Sequence, residues 1–209
     1  MSLASRAAAL FPVLLFCLCA HAGLMIIEHP GSVSLAWSLA VLYLVPLAAY
    51  RLHEALAPLK PGVSFLDGEK YSTWWGGHAI QSVYVAFPFL EAALRLVPGA
   101  YSAWLRLWGS KIGRGVYWTP RVEVHDRALL DVGDGVVFGH KIELYGHTVK
   151  ATKGARLLLY VRKVTIGAGA FIGAGSRMAP GVVVEDGAAV PILTDLFPNK
   201  KFSAERAAA

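Results

Sequence analysis

The chain has 209 residues, a formal net charge of +6, and 56% hydrophobic against 16% charged residues. That length admits one ordinary domain with an appendage and excludes two sizeable enzymatic domains. A mean hydropathy of +0.50 with so few charges is more apolar than a water-facing surface tolerates, so part of the chain is expected in lipid.

Residues Ala7 to Ile27 form an apolar run broken only by Pro12, His21 and Gly23, long enough to cross hydrocarbon as a helix. A cleaved signal peptide is the competing reading, since Arg6 precedes an apolar core. A second apolar stretch, Val33 to Tyr50, argues for a membrane hairpin instead. Cys17 and Cys19, two positions apart within the first run, offer neither a disulfide framework nor a metal site. The connecting turn Glu28-His29-Pro30-Gly31-Ser32 makes the two helices antiparallel. Arg6, Arg51 and Lys60 then share one side, and the positive-inside tendency puts that side in the cytoplasm. The predicted organisation is a transmembrane hairpin over 1–60 and an integral membrane protein whose remaining chain faces the cytoplasm.

Tyr71 to Trp108 is rich in Trp, Tyr and Phe and is interrupted at Pro88 and Pro98-Gly99. Amphipathic rings favour the headgroup level, so residues 61–110 are expected to form interfacial or membrane helices, with buried helices as the alternative. His78 and Gln81 are either contacts for a lipid-borne group or satisfied polar residues at an interface.

From Ile112 onward a six-residue period appears. It runs Ile112-Gly113, Trp118, Val124, Leu130-Asp131, then after a shift of two Val132-Gly133, Phe138-Gly139 and Leu144. It resumes after a basic insertion at Ile166-Gly167, Ile172-Gly173, Met178, Val184-Glu185 and Val190. Such a short period signals a β-solenoid, and the density of glycine excludes helix. The predicted fold is mainly β: a parallel β-helix over 111–195 preceded by transmembrane and interfacial α-helices, with 196–209 as C-terminal cap and tail. The helices are expected to cover one end of the stack and Pro191 to Phe202 the other.

The run IGAGAFIGAGSRMAPGVVVEDGAAV resembles the hexapeptide-repeat acyltransferase superfamily, and WGSKIGRGVYWTP with IELYGHTV is similar to its membrane-associated branch. The resemblance covers Ile112 to Val190 and implies a left-handed β-helix, packing as a homotrimer, and acyl transfer from acyl-coenzyme A or an acyl carrier protein. No permanently bound cofactor is implied. The membrane segments favour a lipid-linked or amphiphilic acceptor, and membrane lipid is an expected partner. Nucleic acid is not, because the basic residues are scattered and form no nucleic-acid motif.

Acyl transfer from a thioester to a hydroxyl or amine needs a base for the acceptor proton and donors for the oxyanion. Imidazole suits the first role. His147 is the leading candidate, because Tyr145-Gly146-His147-Thr148 ends a regular coil just before the insertion Lys150 to Lys163. His140 is second and His125 third. Glu143 and Asp131 are candidates for orienting an imidazole. Lys150, Lys153, Arg156, Arg162, Lys163 and Arg177 lie in a stretch without acids between Glu143 and Glu185, suited to coenzyme A phosphates or anionic headgroups. The resemblance implies pantetheine contacts near Gly173, Ala174, Arg177 and Ala179, with Lys200 and Lys201 reaching the phosphates. The histidine spacing matches no common zinc site, so no metal is expected. The competing functional class is a non-catalytic scaffold at the membrane. A transporter component is disfavoured, because neither span carries an interior Asp, Glu, Lys or Arg.

Overall fold

The computed structural model describes residues 2–67, 70–154 and 156–203. The chain divides into two compact units, one of residues up to 60 with 66–83, the other of residues 61–65 and those from 84 onward.

In the first unit, helices α1 (Leu3–Ala8) and α2 (Phe11–Glu28) are followed by α3 (Ser32–Leu39), one π-helical turn (Ala40–Leu44) and α4 (Val45–Leu56). Ser2 caps α1 by accepting the Ser5 amide at 3.1 Å. Pro12 falls in the first turn of α2, where a missing N–H costs nothing. Pro46, lacking an N–H inside a long helical run, coincides with the π turn, where Val45 donates to Ala40. The helical stretches Leu3–Glu28 and Ser32–Leu56 are 26 and 25 residues long with mean hydropathies of 2.4 and 1.8, enough by length and composition to cross a membrane. Leu15, Ala22 and Val41 form their small shared core. Phe16 and Ile27 remain more than 70% exposed.

The first unit ends within helix α5 (Thr73–Ala86), after Val83, and the second takes in the last turn of α5, α6 (Phe89–Arg95) and α7 (Ala100–Trp108). Helix α7 buries Tyr101, Trp104, Leu105 and Trp108, and Tyr84 meets the Trp104 and Trp108 rings edge to face. Those four rings are therefore consumed by packing within the protein, not offered to headgroups as the aromatic composition suggested. Gly109, at φ 110°, terminates α7 in the left-handed conformation that glycine tolerates, and the chain enters the first coil.

The β-helix has three parallel sheets as faces. One stacks Lys111–Ile112, Leu130–Val132, Val164–Ile166, Val183–Val184 and Lys201–Phe202. A second stacks Val137–Phe138, Phe171–Ile172 and Ala189–Val190. The third stacks Glu123–Val124, Glu143–Leu144, Arg177–Met178 and Asp195–Leu196. The last residue of each of the first sheet's strands from Lys111–Ile112 to Val183–Val184 points inward, so Ile112, Val132, Ile166 and Val184 form one buried ladder. Trp118 continues another, stacked on Phe138 at 4.3 Å and met edge-on by Tyr101 from α7 at 5.2 Å. Each side chain so buried contributes about 1.5–3 kcal/mol.

Two expectations change. Helices contribute more residues than strands, so the chain is not mainly β. Pro191 to Phe202 is no cap, because Asp195–Leu196 and Lys201–Phe202 are further strands of the stack, which runs beyond residue 195.

Gly173 illustrates why small residues recur. A Cβ there would lie 2.5 Å from the Ile192 nitrogen and 2.5 Å from the Pro191 carbonyl carbon, both backbone of the next coil. Gly173→Ala is expected to destabilise the β-helix by about 1–3 kcal/mol through overpacking, read as a lower midpoint in thermal unfolding.

Candidate active site

Regular coils advance by six residues per face. The chain departs from that rule twice at one corner, after Val124 and after Leu144, the last residues of two paired strands. The first departure is the short loop holding His125, Asp126 and Arg127. The second leads into an antiparallel hairpin, His147–Ala151 with Leu157–Val161, which strand Gly62–Phe65 widens to three strands. Because Val124 and Leu144 are register partners, both irregular segments start side by side.

That juxtaposition makes the site. The Asp126 Oδ2 atom lies 2.6 Å from His147 Nδ1 and accepts the Gly146 amide at 2.9 Å. The carboxylate side chain is 3% exposed, while the imidazole keeps 16%. Gly146 is required by proximity: a Cβ there would fall 2.6 Å from Leu129 Cβ and 2.9 Å from Asp126 Cβ. The glycine thus lets the backbone approach Asp126.

Arg127, next in the chain, is fully withdrawn from solvent and its charge is met by Glu91 of α6. Its Nε and one terminal nitrogen donate to the two Glu91 oxygens at 2.7 and 2.8 Å, and Trp104 Nε1 donates to the same carboxylate at 2.9 Å. The neighbouring coulombic interaction and hydrogen bonds hold the guanidinium above its ordinary pKa despite burial. Ser110 secures the segment further, donating to the Arg127 carbonyl at 2.7 Å and accepting the Leu130 amide at 3.0 Å.

His125 stacks on Tyr145 with ring centroids 4.2 Å apart, and its Nε2 is buried with no hydrogen-bond partner among the described residues. Burial lowers its pKa, opposed by Asp126 and reinforced by the nearby His147. The sign follows. Below the ordinary imidazole range the unfolded chain takes up a proton that the folded site resists, so stability is present above about pH 6.5 and falls as the pH drops. His125→Phe is expected to flatten the loss of unfolding midpoint between pH 6.5 and 5 relative to the parent. An unchanged pH slope would remove His125 from that role.

The predicted residues separate. Glu143 does not orient an imidazole: Tyr145 donates its hydroxyl to it, and burial together with Glu143 raises the Tyr145 pKa. Asp131 lies 4.0 Å from Lys111. His140 is exposed at the turn between Phe138 and Glu143, a different corner from the one His147 occupies, with its carbonyl accepting the Gly175 amide at 2.8 Å. A paired site of His140 and His147 is therefore not formed; the imidazole near His147 is His125. Asp126 was missed, although matching Val124 with Leu144 places position 126 level with 146.

Among the proposed cofactor contacts, Arg177 is engaged by Asp195 at 2.7 and 2.5 Å and Lys201 by Glu185 at 2.6 Å, each across neighbouring coils. Lys200 is exposed. Gly173 and Ala174 pack against adjacent coils, Ala174 accepting the Leu193 amide at 2.8 Å, and the Ala179 amide donates to Leu196 at 3.0 Å. Among the described residues no group of three or more His, Cys, Asp and Glu is placed to hold a metal ion.

No protein-family model and no curated protein matches the chain. Solved structures do. A hexapeptide-repeat acetyltransferase from Vibrio cholerae, complexed with acetyl coenzyme A, is 15% identical with a TM-score of 0.42, over 59% of this chain and 83% of that one. A maltose O-acetyltransferase from Clostridium difficile is 15% identical with a TM-score of 0.38, over 59% and 84%. A serine acetyltransferase from Entamoeba histolytica, in complex with cysteine, is 12% identical with a TM-score of 0.37, over 80% and 72%.

Proposed function

We propose that this protein is a membrane-anchored acyltransferase that moves an acyl group from acyl-coenzyme A, or from an acyl carrier protein, to a hydroxyl or amine of a lipid-linked or amphiphilic acceptor. The observation that carries the reading is the Asp126–His147 pair, at 2.6 Å, where two departures from the hexapeptide rule meet. With Nδ1–H donated to the carboxylate, Nε2 is the nitrogen left to take a proton. Nε2 receives the acceptor proton as the acceptor oxygen or nitrogen bonds to the thioester carbonyl carbon. The tetrahedral adduct then expels the thiolate, which recovers that proton from the imidazolium.

Asp126 is a positioning residue: it fixes the tautomer and ring orientation and stabilises the imidazolium. The two apolar helical stretches supply the anchor, with the β-helix on the cytoplasmic side. Left-handed winding and a homotrimer, with the pantetheine arm along the groove between subunits near Gly173, Ala174 and Ala179, complete the proposal. The test is free-thiol release from acetyl-coenzyme A and longer acyl-coenzyme A donors by the full chain in lipid, with membrane extract as acceptor source. Extract-dependent release that His147→Ala abolishes supports the reading. Equal rates in both proteins would remove His147 as the base.

A further inference from the structure

The hairpin sheet beside the candidate site has two unlike faces. Register sets Gly62, Val161 and His147 opposite one another, then Val63, Tyr160 and Thr148, then Ser64, Leu159 and Val149, then Phe65, Leu158 and Lys150. Opposed residues share a face and successive residues alternate. His147 therefore lies on the face of Val161 and Leu159, both 1% exposed. The other face carries Val63, Phe65, Leu158, Tyr160 and Lys150. Val63 is 63% and Phe65 39% exposed, and the whole edge strand Gly62–Phe65 is open to solvent. The Arg156 guanidinium sits 3.8 Å from the centre of the Phe65 ring.

An open edge strand with aliphatic and aromatic side chains is a liability in water unless something covers it. The charge around it identifies the cover. Lys150, Lys153 and Arg156 surround the hairpin tip and are exposed. No acid occurs anywhere between Glu143 and Glu185. Apolar and aromatic groups with Lys150, Lys153 and Arg156 beside them suit a surface that enters the headgroup boundary of an anionic bilayer. The covalent chain adds an independent constraint. Only Ala57 to Pro61 separates the end of α4 at Leu56 from Gly62, which at full extension spans about 20 Å.

We propose that the outer face of this three-stranded sheet, centred on Val63, Phe65 and Leu158 and rimmed by Lys150 and Lys153, docks on an anionic lipid bilayer. The proposal rests on the reading of α2 to α4 as a membrane anchor and deepens it: the membrane is a surface that the hairpin contacts as well as the medium of the spans. Since His147 begins the same hairpin on its opposite face, docking would hold the candidate base within reach of acceptors dissolved in the bilayer.

The experiment uses the full chain with Cys17→Ala and Cys19→Ala, carrying an environment-sensitive fluorophore at Val63→Cys or, as control, at Ala168→Cys, an exposed turn position away from the corner that carries the hairpin. Each protein is reconstituted into phosphatidylcholine vesicles with or without phosphatidylglycerol, doped with headgroup spin-labelled lipid as quencher. The expected result is quenching at position 63 that is stronger in anionic vesicles, weakens with added salt, and is absent at position 168. Lys150→Glu with Lys153→Glu is expected to weaken docking by about fivefold or more for each lysine at low salt. Equal absence of quenching at both positions, in protein that still resists carbonate extraction, overturns the docking face and leaves the anchor standing. Extraction by carbonate overturns the anchor, and position 63 is then read with preformed anionic vesicles, where quenching supports the face and none overturns it. A spectral shift at position 63 that depends on protein concentration and not on lipid assigns the face to a second copy of the chain, against the proposal.

Discussion

His147→Ala is expected to lower thioester turnover by about 10²–10⁴-fold, the usual contribution of a positioned general base, with little change in the unfolding midpoint. Asp126→Asn is the sharper variant, because it keeps the volume of the side chain and an oxygen for the Gly146 amide. It removes the charge that stabilises an imidazolium, while the Asn oxygen in the place of Oδ2 still accepts from the Gly146 amide and from Nδ1–H. A fall in kcat within the same range, with KM for the acyl donor nearly unchanged, is the expected signature of a positioning residue acting through His147. Because the two residues work as a unit, the double variant should lose little more than His147→Ala alone. Additive losses would mean that Asp126 acts on something other than His147.

Glu91→Ala is expected to be the most destabilising single change in the second unit. Glu91 and Arg127 are 3% and 1% exposed, and removal of the carboxylate leaves a buried guanidinium without its counter-charge. Breaking such a pair costs about 3–5 kcal/mol, which for a unit of this size corresponds to a fall in unfolding midpoint on the order of 10 °C. The Trp104 indole loses its acceptor at the same time. Replacing both charges, Glu91→Met with Arg127→Met, should recover most of the loss, since no uncompensated charge remains. The pair also ties α6 to the loop bearing Asp126, so Glu91→Gln, expected to fold more stably than Glu91→Ala, should reduce turnover more than it reduces stability. A Glu91→Ala protein that unfolds like the parent would show that the pair contributes nothing net.

The β-helix was legible from residue order because its signal is local and repeated: inward aliphatics at Ile166, Ile172, Met178, Val184 and Val190, each six positions on, admit one solution. The two apolar helices were legible for the same reason, since length and hydropathy are properties of contiguous chain. His147 stood out because it follows a glycine where the repeat ends. What residue order left open depends on who meets whom. Tyr101, Trp104 and Trp108 read equally well as headgroup rings or core, and packing around Trp118 and Tyr84 decided for core. Glu143, four residues before His147, was with Asp131 a candidate for orienting an imidazole, yet the Tyr145 hydroxyl engages it, and Asp126, twenty-one residues upstream of His147, is delivered by the stacking of one coil on the next. Hydrophobic period and span length are fixed by the sequence itself, whereas the pairing of a carboxylate with an imidazole across coils is a contact between segments distant in the chain, and only the folded arrangement brings those together.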